Sequence, residues 1–175
     1  MLIFGTYLEQ VEITKVFLSS SFDMKDMGKA NVILGTGILR EQENITLVQS
    51  HYIEKVLDKF NQSDYIPALT PFDPNMNFVK NVENLISQLK YAKVIECMGY
   101  AMTCTRPEIT YVFGRMSRYI SNPNDMYWHG VKRILKYLKK TKDYDIIYVG
   151  YPFVLEGFSD ASWITYKNDH ASTIG

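Results

Sequence analysis

Asp125-Met126-Tyr127-Trp128-His129-Gly130-Val131-Lys132-Arg133-Ile134-Leu135-Lys136-Tyr137-Leu138-Lys139-Lys140 is the stretch on which the reading of this chain turns. Trp128, Val131, Leu135 and Leu138 recur at helical spacing and define one apolar face. Lys132, Arg133, Lys136 and Lys140 stand beside it at offsets of 0, 1, 4 and 8. At about 100° per residue these four cations cover roughly one third of the helix circumference. A cationic stripe next to an apolar one lets a helix pack on its own domain and still meet phosphates. Asn122-Pro123-Asn124 separates this helix from the preceding one.

Working outward, Thr105-Arg106-Pro107-Glu108 has the capping-box pattern, with Thr105 and Glu108 each expected to accept a backbone N–H of a first turn. Ile109, Val112, Phe113, Met116 and Ile120 supply that helix's stripe, and a further helix is expected from about Leu85 to Thr103. Downstream of Thr141 the period changes to two. Tyr144–Val149 and Val154–Asp160 read as strands, and the short Gly150-Tyr151-Pro152 link suggests that they pair antiparallel.

The N-terminal part mixes both periods. Met1–Gly5 is a short apolar run fit for a buried strand, so the chain is expected to begin inside an element. Residues 7–21 carry Leu8, Val11, Val16, Phe17 and Leu18 near helical spacing, and Phe22–Gly28 leaves that helix through a glycine-containing turn. Ala30–Leu39 is β-prone, with Gly35 and Gly37 marking a bulge or a close backbone approach. Glu41–Asn44 reads as a turn and Ile45–Val48 as the returning strand of a hairpin. Ser50 is placed to cap a helix from His51 to Phe60, with Tyr52, Ile53, Val56, Leu57 and Phe60 on one face. Residues 61–82 are crowded with Asn, Ser, Asp, Thr and Pro and form the best candidate boundary.

Composition narrows the function classes. The chain has 175 residues, 46% of them apolar and 22% charged, which suits one domain, or two small pieces, with a packed core. Two cysteines exclude a disulfide scaffold. No apolar run approaches a membrane span and no secretory leader opens the chain, so an intracellular location, cytoplasmic or nuclear, is expected. The net charge is zero, yet residues 90–142 hold 11 Lys and Arg against three acids, a net +8, and the remainder carries −8. Such a block suits a polyanion partner, although a solvated helix surface explains it equally simply.

Motifs for catalysis are sparse. His51, His129 and His170 lie in different contexts, and no paired Cys or His motif indicates zinc. Cys97 and Cys104 share one expected helix, about 10 Å apart along its axis, which excludes a disulfide between them and makes core residues of both. No phosphate-binding Gly-Lys-Ser/Thr loop or Gly-x-Ser-x-Gly elbow occurs. Asp160 ends an expected strand and is followed by two small residues and Trp163. Two-metal nucleases hold their ions between carboxylates from separate elements, and one such Asp begins a set without completing it. By spacing alone an Asp opening a turn is the simpler account.

These residues together resemble the Pol polyprotein of copia-type long-terminal-repeat retrotransposons. Phe22-Asp23-Met24-Lys25-Asp26-Met27-Gly28, Leu34-Gly35, Thr46-Leu47-Val48-Gln49-Ser50-His51-Tyr52-Ile53 and Thr70-Pro71-Phe72-Asp73-Pro74 resemble the end of a reverse transcriptase domain. Cys104-Thr105-Arg106-Pro107-Glu108-Ile109, Ser117-Arg118-Tyr119-Ile120-Ser121-Asn122-Pro123, Trp128 and Val131–Leu138 resemble the segment that follows. Ser159-Asp160-Ala161-Ser162-Trp163, with Ser172-Thr173 and Gly175, resembles the opening of ribonuclease H.

The resemblance implies an α+β fold in three parts. Residues 1–60 would be the C-terminal part of a palm, with its β-hairpin and helices, 61–142 a connector and helical thumb or connection segment, and 143–175 the first strands of an incomplete ribonuclease H-like sheet. It implies that Leu34 and Gly35 lie near the primer end and that Lys132, Arg133, Lys136 and Lys140 contact the backbone of a template–primer duplex or RNA–DNA hybrid. Asp160 would be the first metal carboxylate of ribonuclease H. In intact relatives Mg²⁺ serves both reactions. Here the Tyr-Val-Asp-Asp hairpin and the later ribonuclease H carboxylates are expected to be missing, so no tight Mg²⁺ binding and no activity of the chain alone are expected. A non-catalytic duplex-binding remnant, or a non-functional pseudogene product, is the alternative. Glu96 within the apolar Val94–Met98 run, and Thr36-Gly37 after Leu34-Gly35, depart from the family pattern. An unpaired Glu96 in the core would cost on the order of several kcal/mol or force protonation, as in a decaying copy.

Overall fold

The computed structural model describes residues 3, 5, 7–41, 44–61, 66–76 and 86–149. Among them are five α-helices and one four-stranded antiparallel sheet, a mixed architecture compatible with the α+β class. In chain order they are α1 (Leu8–Ser21), β1 (Val32–Ile33), β2 (Thr36–Arg40), β3 (Asn44–Val48), α2 (Ser50–Lys59), α3 (Gln88–Cys104), α4 (Thr110–Ser117), α5 (Asp125–Lys140) and β4 (Ile146–Val149), with a 3₁₀ turn at Pro107–Ile109 before α4. The Met1–Gly5 strand lies mostly outside the described residues, and Ile3 and Gly5, which are described, belong to no strand. The strand expected at Val154–Asp160 lies wholly outside them.

The sheet order is β1-β2-β3-β4. Asn44 pairs with Val149 and Leu47 with Ile146, so β4 joins β3 across an excursion that contains α2 to α5. Gly35 and Gly37 mark no bulge. Gly37 pairs in regular register with both Val32 and Val48. Gly35, with φ +81°, and Leu34, with φ +49°, form the two-residue β1–β2 turn. Positive φ at both positions gives the mirror-image turn whose twist matches paired strands. Glycine adopts it freely, whereas a leucine carries strain there. The Tyr100 hydroxyl of α3 donates to the Leu34 carbonyl and ties the turn to the helices.

One core joins α2 to α5. Ile53, Val56 and Leu57 of α2 pack with Tyr91, Val94, Ile95, Met98 and Ala101 of α3, Ile109, Val112 and Met116 around α4, and Tyr127, Val131, Ile134, Leu135 and Leu138 of α5. The α2, α4 and α5 members include residues of the stripes expected from periodicity. Glu96, expected to intrude on the core, is exposed. Val94, Ile95 and Met98 turn inward while position 96 falls on the opposite side of the helix. The carboxylate therefore carries no burial penalty. α1 forms as expected but buries no residue. Lys15 on it meets Glu12 at 2.7 Å and Asp26 at 3.1 Å, and these hydrogen bonds raise the Lys15 pKa. Asp26 also accepts the Gly28 N–H at 2.8 Å, and that bond, followed by Lys15, holds its carboxyl below the usual range.

Capping differs from expectation in two places. Ser50 is the first residue of α2, not its cap; Gln49 holds that position without a side-chain capping bond. Gln49 is instead buried, and its Oε1 accepts the Thr105 hydroxyl at 2.7 Å. The Thr105–Glu108 capping box is thereby dissolved. Glu108 Oε1 accepts Arg106 Nε at 2.8 Å. The guanidinium of Arg106, 1% exposed, also donates from Nη1 to the Thr141 carbonyl at 2.6 Å and from Nη2 to the Thr141 hydroxyl. Tyr137 and Tyr144 lie within 5.9 and 5.7 Å of it. The side chains of 105–108 are drawn into tertiary partners, which outweigh a local cap.

Two outcomes follow for stability, both read from urea midpoints. Arg106→Met should destabilise the fold by about 2–4 kcal/mol, because the Thr141 carbonyl and hydroxyl and the Glu108 carboxylate all lose their guanidinium partner; an unchanged midpoint contradicts the clamp. Leu34→Asn should stabilise by about 0.5–1 kcal/mol, since Asn tolerates positive φ better; a loss of stability contradicts the strained turn.

Candidate nucleic-acid interface

α5 is built to present charge. Asn124 caps it, accepting the Tyr127 N–H at 2.9 Å. Asp125 sits in the first turn and Lys139 and Lys140 in the last, each placed favourably for the helix dipole. Tyr127, Trp128, Val131, Ile134, Leu135 and Leu138 are buried, and Lys132, Arg133 and Lys136 flank them half-buried, with Lys140 exposed. The expected two-stripe helix is present.

The four cations do not behave alike. Arg133 reaches the connector, donating from Nε to the Thr70 carbonyl at 3.2 Å and from Nη2 to the Thr70 hydroxyl at 2.9 Å, with Nη1 3.5 Å from the Asp73 carboxylate. Next to it, the Lys136 carbonyl accepts the Ala68 N–H at 3.2 Å. Residues 68–73 are thus laid along α5, and Phe72 meets Tyr111 edge-on at 5.4 Å with Arg115 above it. Lys132 stands 5.8 Å from the centroid of the Trp128 ring. Lys90 of α3 stands 5.1 Å from the same centroid, a residue that sequence reading did not single out. Its spacing from Ser87, which caps α3, gave no sign of a partner 38 positions downstream.

The positive block is also smaller at the surface than its count. Arg106, one of its 11 bases, is buried. Leu34 and Gly35 are exposed in the β1–β2 turn, and their described attachment is to Tyr100 of α3, not to α5. Asp160 and His170 lie outside the described residues. His51 and His129 are exposed on α2 and α5, and His129 Nδ1 lies 2.8 Å from the Asp125 carbonyl. Cys97 and Cys104 are both free and half-buried on α3, and Cys97 packs against the core. Among the described residues no three His, Cys, Asp or Glu side chains gather into a group that could hold a metal ion. No described helix is long and apolar enough to cross a membrane. Burial raises the hydroxyl pKa of Tyr91, Tyr127 and Tyr52, keeping all three neutral at ordinary pH.

The site is thus a helical face of cations on α5, and comparison with known proteins supplies its context. Residues 1–74 match the family described as reverse transcriptase (RNA-dependent DNA polymerase). Over its whole length the chain is 34% identical to the Retrovirus-related Pol polyprotein from transposon TNT 1-94 of Nicotiana tabacum, of which it spans 14%. Over 90% of its length it is 29% and 30% identical to the corresponding polyproteins from transposons RE2 and RE1 of Arabidopsis thaliana, spanning 11% of each. No solved structure matches it. The chain is thus similar to Pol polyproteins from retrotransposons, and its first 74 residues match the reverse transcriptase family. Reverse transcriptases act on nucleic-acid templates and generally use Mg²⁺. The described residues offer no carboxylate set to hold that ion.

The unequal roles of the cations are measurable by thermal melting. Arg133→Gln should lower stability by about 1 kcal/mol by releasing residues 70–73, while Lys140→Gln should stay within about 0.5 kcal/mol of the parent. Equal effects contradict the division.

Proposed function

We propose that this chain is a nucleic-acid-gripping segment of a reverse transcriptase/ribonuclease H assembly, acting on a template–primer duplex or RNA–DNA hybrid without a complete metal centre of its own. The observation that carries the reading is the reverse transcriptase match over residues 1–74, joined to the cationic face of α5. In this reading residues 1–60 supply the end of a palm and 61–142 a connector and helical thumb or connection. Residues 143–175 open a ribonuclease H-like region, with β4 also completing the sheet begun by β1 to β3. Leu34 and Gly35 sit near the primer end, an exposed turn braced by α3. Lys132, Lys136 and Lys140 meet the phosphate backbone and read no bases. Arg133 holds the connector against α5 and so orients the same face. Asp160 contributes the first ribonuclease H carboxylate, and Mg²⁺ would supply two-metal phosphoryl chemistry only where further carboxylates complete the set.

The test has two arms on the purified chain. Binding to an RNA–DNA hybrid should weaken linearly on a log–log salt plot, as counterion release requires. Salt-independent binding, or none, contradicts the reading. Primer extension on a primed RNA template with Mg²⁺ should be absent; incorporation of nucleotides by the chain refutes the claim that its chemistry is incomplete.

A further inference from the structure

We propose that Lys90 and Lys132, brought to one indole from two helices, form a phosphate-binding pair for a nucleic-acid strand. The inference rests on the gripping role above and adds a residue to it. Lys90 stands in the first turn of α3, directly before Tyr91, whose ring lies 6.5 Å from that of Trp128. Lys132 stands one turn after Trp128 on α5. Their ammonium groups lie 5.1 and 5.8 Å from the Trp128 centroid, so the same ring borders both. Like charges near one ring repel, and some other cations of this protein are balanced by acids. Arg133 faces Asp73, Lys142 faces Glu54, and Lys15 faces Glu12 and Asp26. Among the described residues neither Lys90 nor Lys132 has a carboxylate partner. Among the described residues this charge is uncompensated, and an anion from outside the chain neutralises it in this reading.

The kind of anion follows from Trp128. It is 8% exposed, so its face is closed to a stacking base and serves only to seat the ammonium groups. What two seated ammoniums bind is phosphate, and two of them together suit a strand with repeated phosphates. The pair therefore grips backbone without reading sequence. It also moves the binding face from α5 alone to the line where α3 meets α5.

The experiment uses the full chain and a fluorescein-labelled RNA–DNA hybrid, with affinity followed by anisotropy from about 50 to 200 mM salt. Lys90→Gln and Lys132→Gln should each reduce the slope of log affinity against log salt by about 1, and the double variant by about 2. Lys55→Gln, exposed on α2, should leave the slope unchanged. In a Trp163→Phe background, which leaves Trp128 as the single tryptophan, hybrid binding should alter its emission, and the double lysine variant should lose that response. An unchanged slope in Lys90→Gln, with the parent chain still binding, overturns this inference alone. Failure of the parent chain to bind overturns both this inference and the function on which it rests.

Discussion

The buried guanidinium of Arg106 is the constraint around which the helical part is arranged. Removing a cation from water costs on the order of several kcal/mol, and it is tolerated only when its donors are satisfied. Here they meet the Thr141 carbonyl and hydroxyl and the Glu108 carboxylate, with two tyrosine rings alongside. The clamp joins the turn after α3 to the end of α5. Thr141 lies a few residues before β4, so the same bonds set where the chain leaves the helices and rejoins β3. The sheet and the helical core are thereby linked at a point where neither apolar burial nor strand pairing alone would fix the geometry.

The basic residues sort by this architecture into separate tasks. Arg106 holds the fold together from inside and Arg133 fastens residues 70–73 to α5. Guanidinium groups suit such work because several donors lie in one rigid plane. Lysines take the outward positions, where a compact ammonium on a flexible stem can meet phosphate. The charge that such a helix face presents depends less on the total count than on which cations the fold has already neutralised.

Much of the secondary structure was readable from pattern. The helices α2, α4 and α5 bury residues of their expected stripes, β2 and β3 pair as the expected hairpin, and the family resemblance agrees with the comparisons. The failures have separate causes. Thr105 and Glu108 have the spacing of a cap, yet Gln49, distant in the chain, and Arg106 take their side chains. Glu96 lies in an apolar run of sequence, but helix rotation turns its neighbours inward while it faces out. Gly35 serves a turn together with the adjacent Leu34, which shares its positive φ.

The sequence by itself determined the class, the helical stripes and the positive character of residues 90–142, because periodicity and charge are properties of neighbours along the chain. It took the packed fold to make Arg106 internal, tie Arg133 to the connector, pair β4 with β3 and bring Lys90 to the Trp128 ring that Lys132 also borders. These are long-range contacts, whose partners are chosen by the packing of whole elements and leave no periodic trace in either segment alone.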